Sequence, residues 1–120
     1  MIPKTNTPVG CPAELTVQVI GGRWKAPIVY HLLSGTRRFT ELKRALGPVT
    51  PKMLTQQLRE LEADGIVHRE VYPQVPPRVE YSLTPRGRSL EPVIKAMCTW
   101  ARPAEPPRSA EPGVRAKKKP

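Results

Sequence analysis

Four side chains in the stretch TPKMLTQQLRELEADG, residues 50–65, carry hydrogen-bonding chemistry at helical spacing: Lys52, Thr55, Gln56 and Arg59. At about 100° per residue they fall within one arc of a helix, and Leu54, Leu58 and Leu61 form the apolar stripe on the other side. The four offer many donors and no carboxylate among them. Gln pairs bidentately with adenine, Lys and Arg with guanine, and Thr meets a thymine methyl. The competing explanation is an ordinary solvated helix face, so the surrounding elements and charge have to decide.

The charge points to an anionic partner. Twenty Lys and Arg against ten Asp and Glu give +10 over 120 residues and a pI near 10.2. Residues 1–102 hold 15 basic and 8 acidic side chains, net +7, which leaves +3 for residues 103–120. The folded part is itself basic, and nucleic acid is the partner such a surface attracts first. A hydrophobic content of 38% supports one domain with a modest core.

Other chemistries find little support. There are no paired carboxylates, nucleophile elbow or phosphate loop, so no catalytic residues and no enzyme are expected. The two cysteines, Cys11 and Cys98, lack the spacing of a zinc site or a disulfide framework, and neither a metal nor another cofactor is expected. His31 and His68 stand alone in sequence and read as structural or surface residues. No apolar run approaches the roughly 20 residues of a membrane span, and the N-terminus carries no signal pattern. A cytoplasmic protein without a membrane partner is implied.

The elements that must position the polar face are legible from turn and cap signals. Residues 1–10 read as a flexible arm. Pro12 suits the first turn of a helix running to about Ile20, which Gly21 and Gly22 end. Trp24, Ile28 and Leu32 mark a second helix reaching Ser34, stopped at Gly35. RRFTELKRAL opens a third, short helix capped by Thr40, with Leu42 and Leu46 inward and Lys43 and Arg44 outward. GPV makes a turn, Thr50 caps the next helix with Pro51 at its first position, and Gly65 stops it.

Beyond Gly65 the period changes to two, around Val67 and Val71 and again around Val79, Tyr81 and Leu83, which predicts a two-stranded hairpin. YPQVPP is its stiff loop, with Arg78 at the far end. Thr84 and Pro85 open a last helix through about Trp100, carrying Leu90, Val93, Ile94, Met97 and Ala101 on one face. Residues 103–120 are rich in Pro and basic side chains and are expected to be disordered. The fold class is mainly α with a small β-hairpin, an α+β winged helix-turn-helix over residues 11–102.

In that geometry the second helix of the motif enters a major groove about 12 Å wide, and Lys52, Thr55 and Gln56, with Arg59 a turn later, reach base edges. Arg78 and Arg69 are candidates for phosphate or the adjacent minor groove, and Arg37, Arg38 and Lys43 for phosphate. The long apolar face of the last helix exceeds what one small core needs. Trp24 and Trp100 read as core or dimer anchors.

The segments CPAELTVQVIGGRWKAPIVYHLLSGTRRFTELKRAL and TPKMLTQQLRELEADGIVHREVYPQVPPRVEYSLTPRGRSL, with the closing CTW, resemble the HxlR-type family of bacterial winged-helix transcriptional regulators. The resemblance covers Cys11 to about Trp100. It implies a homodimer, a recognition helix over residues 50–64, a wing over residues 72–81, and repression or activation of nearby genes. A twofold dimer would set two recognition helices about 34 Å apart on a pseudo-palindromic operator of double-stranded DNA. Leu90, Val93, Ile94, Met97 and Trp100 are the expected dimerisation residues.

Some relatives of that type sense oxidants or electrophiles through a cysteine at the position of Cys11. Here Cys11 precedes Pro12 at a helix start, where free N–H groups favour a thiolate, and Arg23 and Lys4 add positive potential. An inert capping cysteine is the alternative, and Cys98 reads as a buried small hydrophobe. The effector is unknown. The Pro-rich basic tail departs from the family pattern, so its role stays open. A different class, a basic protein coating nucleic acid without sequence preference, predicts binding that falls with salt on every sequence alike.

Overall fold

The computed structural model describes residues 10–102; the expected arm, Lys4 and the tail at 103–120 lie outside those residues apart from Gly10. The order is α1 (Pro12–Ile20), α2 (Lys25–Leu32), β1 (Arg37–Arg38), α3 (Phe39–Leu46), α4 (Pro51–Ala63), β2 (Val67–Tyr72), β3 (Arg78–Leu83), α5 (Pro85–Arg88) and α6 (Glu91–Ala101). Helix, short strand, two helices and a hairpin in succession are the winged helix-turn-helix, with α3 and α4 as its two motif helices.

The core explains why α4 turns its polar side outward. Leu54, Leu58 and Leu61 are each no more than 1% exposed and meet Ile28, Val29, Leu32, Leu42, Val49, Ile66 and Val67 in one apolar cluster. Rotating α4 would expose three leucines, at roughly 1.5–3 kcal/mol each. Thr50 fixes where the helix begins, its Oγ1 accepting from the Met53 N–H at 3.1 Å, with Pro51 following at a position that needs no donor. Thr50→Ala is expected to destabilise the fold by about 1 kcal/mol, read as a lowered urea midpoint with an unchanged slope.

Four local expectations need correction. The third helix begins at Phe39, not after Thr40: Arg38 is the cap residue, and its backbone N–H donates to Glu41 Oε1 at 2.8 Å. The second helix ends at Leu32 rather than Ser34, because the His31 carbonyl is taken by the Ser34 hydroxyl at 3.2 Å and by Arg37 Nε at 3.4 Å. The wing sheet has three strands in the order β1-β3-β2, since Arg37 pairs with Tyr81 and Arg38 with Glu80. Partial burial, and after it the charge of Arg37, lower the His31 pKa below the ordinary imidazole range.

The fourth correction concerns the last helix, which is two helices. Thr84 caps α5, its Oγ1 accepting from the Gly87 N–H at 2.9 Å and donating to the Gly65 carbonyl at 2.6 Å. The chain then breaks at Ser89 and Leu90 before α6 starts. Pro92 is the cause. It has no N–H for the Arg88 carbonyl, and its ring would collide with that carbonyl in a continuous helix.

Candidate nucleic-acid interface

On α4, Lys52, Gln56 and Arg59 are exposed and Thr55 is half-buried, so the four side chains share the outer face of a helix whose inner face is locked. They are joined by a residue that sequence reasoning passed over. Glu60 stands one turn beyond Gln56, accepts from Gln56 Nε2 at 3.3 Å through Oε2, and pairs with Lys25 Nζ at 2.5 Å through Oε1. Pro51, Lys52, Thr55, Gln56, Arg59 and Glu60 line one open concavity. The face therefore carries a carboxylate. The spacing of four from Gln56 was the available signal.

Arg59 also borders a second, smaller cavity of about 240 Å³ between α4 and the sheet, shared with Thr55, Leu58, Glu62, Arg69 and Tyr81. Arg69 is exposed on β2, which brings it to the same cleft as Arg59. Two guanidinium groups at one polar cleft, beside a helix that fits a groove, suit a backbone phosphate.

The other basic candidates differ in their freedom. Arg78 lies 4.5 Å from the centroid of the Tyr72 ring and 3.4 Å from Glu80 Oε2, half-buried, and so stiffens the base of the wing. Arg37 is held by Ser34 Oγ at 2.8 Å and by the His31 carbonyl. Arg38 is exposed and Lys43 half-buried near the first motif helix. At the wing tip Val75 is 98% exposed between Gln74 and Pro76.

The expected dimerisation residues are split by the structure. Ile94, 2% exposed, lies in the core of its own chain, and Leu90 packs against that core. This corrects the expectation for Ile94, whose side chain is already covered. Val93, Met97 and Trp100 stand 36%, 46% and 86% exposed, and α1 leaves Leu15 and Val17 uncovered as well. Trp24 is half-buried against the core with Arg23 stacked on it at 4.5 Å, while Cys98 packs partly buried on the core.

Cys11 is exposed at the N-cap of α1 and is a free thiol. Glu14 closes the same turn, accepting from the Gly10 N–H at 2.7 Å, and so places a carboxylate in the first turn. His68 pairs with Glu70 at 2.8 Å on the exposed side of β2. Among the described residues no group of three His, Cys, Asp or Glu could hold a metal ion, and no helix is long and apolar enough to cross a membrane.

The family model described as HxlR-like helix-turn-helix matches residues 19–108. The chain belongs to that family. YybR, an HTH-type transcriptional regulator of Bacillus subtilis, is 60% identical over 91 residues, which span 76% of this chain and 73% of YybR. The HxlR-like fold recurs in the redox regulator HypR in its oxidised form, at 59% identity and a TM-score of 0.73, covering 77% of this chain and 95% of HypR. It recurs again in the reduced form of the transcriptional regulator YodB from B. subtilis, at 37% identity and a TM-score of 0.68, covering 78% of this chain and 93% of YodB.

Proposed function

We propose that this HxlR-like protein is a sequence-specific, DNA-binding regulator of transcription that acts as a homodimer in the cytoplasm, by binding and without catalysis. The observation that carries the reading is α4 itself: a capped helix with three leucines buried and Lys52, Gln56 and Arg59 exposed, on a chain of net +10. The recognition helix lies in the major groove of a pseudo-palindromic operator. The wing, residues 72–81, follows the backbone or the adjacent minor groove.

Within that reading Lys52, Thr55 and Gln56 face bases, Arg59 and Arg69 face phosphate, and Arg38 and Lys43 add backbone contacts. Arg78 and Arg37 act chiefly by holding the wing and β1. Val93, Met97 and Trp100 supply the contact between copies.

Fluorescence anisotropy at near-physiological salt tests the proposal, with duplexes from upstream of the protein's own and adjacent genes and shuffled duplexes of equal length. A gap of roughly 10³ or more between one upstream duplex and its shuffled form supports specific regulation. Equal binding that falls with salt on both, and no sequence enriched from a random pool, would leave the nonspecific coat suggested by the charge.

Cys11 is the proposed sensing thiol, on the strength of its exposure and of the similarity to HypR. Peroxide or diamide treatment is expected to change operator affinity about tenfold or more in the native protein, a coupling in the usual allosteric range. Cys11→Ser should remove that response while leaving the affinity of the untreated protein unchanged. A response that survives the substitution assigns the signal elsewhere.

A further inference from the structure

Lys25 is 7% exposed, an unusual position for an ammonium group, and it pairs with a carboxylate on the proposed recognition helix rather than on its own. Its side chain meets Glu60 Oε1, and the other oxygen of that carboxylate accepts from the Gln56 amide. A carboxylate beside a lysine is ionised and has only acceptors to offer, so it selects the NH2 end of the Gln56 amide over its carbonyl end. We propose that Lys25 and Glu60 are positioning residues that fix the orientation of the Gln56 amide and thereby make it select adenine over guanine. This rests on the reading of Gln56 as a base contact.

The selectivity follows from counting protons. The amide nitrogen of Gln56 carries two, and one is engaged by Glu60. What remains outward is one N–H and the carbonyl oxygen Oε1. That donor-acceptor pair matches N7 and N6–H of adenine. Guanine presents two acceptors, N7 and O6, and an unrestrained amide satisfies both by turning both protons toward them. With one proton held by Glu60, that arrangement is closed, and Oε1 is left opposite an acceptor.

Lys25 has two tasks in this relay. It anchors Glu60 from beneath, through a side chain that the core leaves little freedom to move, and it neutralises a carboxylate that would otherwise repel the phosphates of a bound duplex. The pair, buried at its lysine end, also ties α2 to the C-terminal half of α4. A buried charge left without its partner is strongly destabilising, whereas replacing both partners by apolar residues is often neutral.

The test is a selection from random-sequence duplexes with the full chain, comparing the native protein, Gln56→Ala, Glu60→Gln, and the paired variant Lys25→Met with Glu60→Leu. The position whose preference Gln56→Ala removes is the one that Gln56 reads, and adenine there is expected to exceed guanine about tenfold or more in the native protein. In Glu60→Gln the new amide turns its carbonyl to Lys25 and its NH2 to Gln56, which reverses the Gln56 amide and brings guanine to parity or above. The paired variant releases the amide without leaving a buried charge, so it decides the matter if Glu60→Gln does not fold; it is expected to lower the preference to about threefold or less at that position alone.

An adenine preference that stays at its native value in the folded paired variant would overturn the relay while leaving Gln56 as a base contact. If Gln56→Ala changes no position, or the native protein enriches no sequence, the reading of Gln56 falls and the relay with it.

Discussion

Met97→Asp combined with Trp100→Asp is expected to give a folded monomer that has lost about 10²- to 10⁴-fold of its affinity for a two-half-site operator. Both side chains project from α6, 46% and 86% exposed in the single chain, so the substitutions remove little from the protomer's own core. In the proposed dimer they bury two carboxylates on an apolar contact, where an ionised group without a partner is not tolerated. Separating the copies turns one bivalent binding event into two independent weak ones. The measurement is sedimentation velocity for the oligomeric state, with anisotropy on a full operator and on a single half-site. Single half-site affinity should be unchanged. A variant that stays dimeric would place the contact between copies elsewhere, with Leu15 and Val17 on α1 the next surface to test.

The second large effect is on stability. Gly87 lies in α5, buried against Ile66 at the entry to β2, and a methyl built on it overlaps the Ile66 carbonyl oxygen and lies 3.1 Å from Leu83 Cδ2. The Ile66 carbonyl cannot step aside, because it accepts from the Thr84 N–H at 3.0 Å. Gly87→Ala is therefore expected to destabilise the domain by about 2–4 kcal/mol, despite the better helix propensity of alanine. For a domain of this size that lowers Tm by roughly 10–25 °C. Gly10→Ala, at a site with open space around it, is the matched control and should melt with the native protein. A calorimetric Tm for Gly87→Ala within a few degrees of the control would mean that α5 shifts to admit the methyl.

The parts of the fold written in local chemistry were legible in advance. Thr50 with Pro51, the leucine stripe of α4 and the alternation around Val67 and Val79 each specify an element through contacts within a few residues. What was not legible depends on partners distant in sequence. The two residues of β1 have no strand pattern of their own and become a strand only because β3 presents an edge to Arg37 and Arg38. The cap of α3 moved from Thr40 to Arg38 with that pairing, since an extended Arg38 is both the end of the strand and the start of the helix. Pro92, by contrast, was in plain view, and its conflict with the Arg88 carbonyl is a local rule that the apolar periodicity of Leu90, Val93 and Met97 concealed.

The same division runs through the interface. The outward set on α4 followed from helical geometry and from the leucines opposite. Its coupling to Lys25 did not, because a lysine 35 positions away in sequence gives no sign that it will be buried beneath Glu60. Arg37 and Arg78 are candidate DNA contacts by residue type alone, and their engagement by neighbours is assembled only in the folded chain.

The break at Ser89 and Leu90 separates two kinds of information. On the proposed reading, base identity is written on α4, whose leucines share one core with residues of α2, α3 and the sheet. In the proposed dimer the distance between half-sites depends on the direction of α6, which no continuous helix joins to α4. In that dimer, changes around Pro92 would alter the gap in the operator and leave the outward side chains of α4 as they are. Address and ruler are separate parts of the proposed dimer.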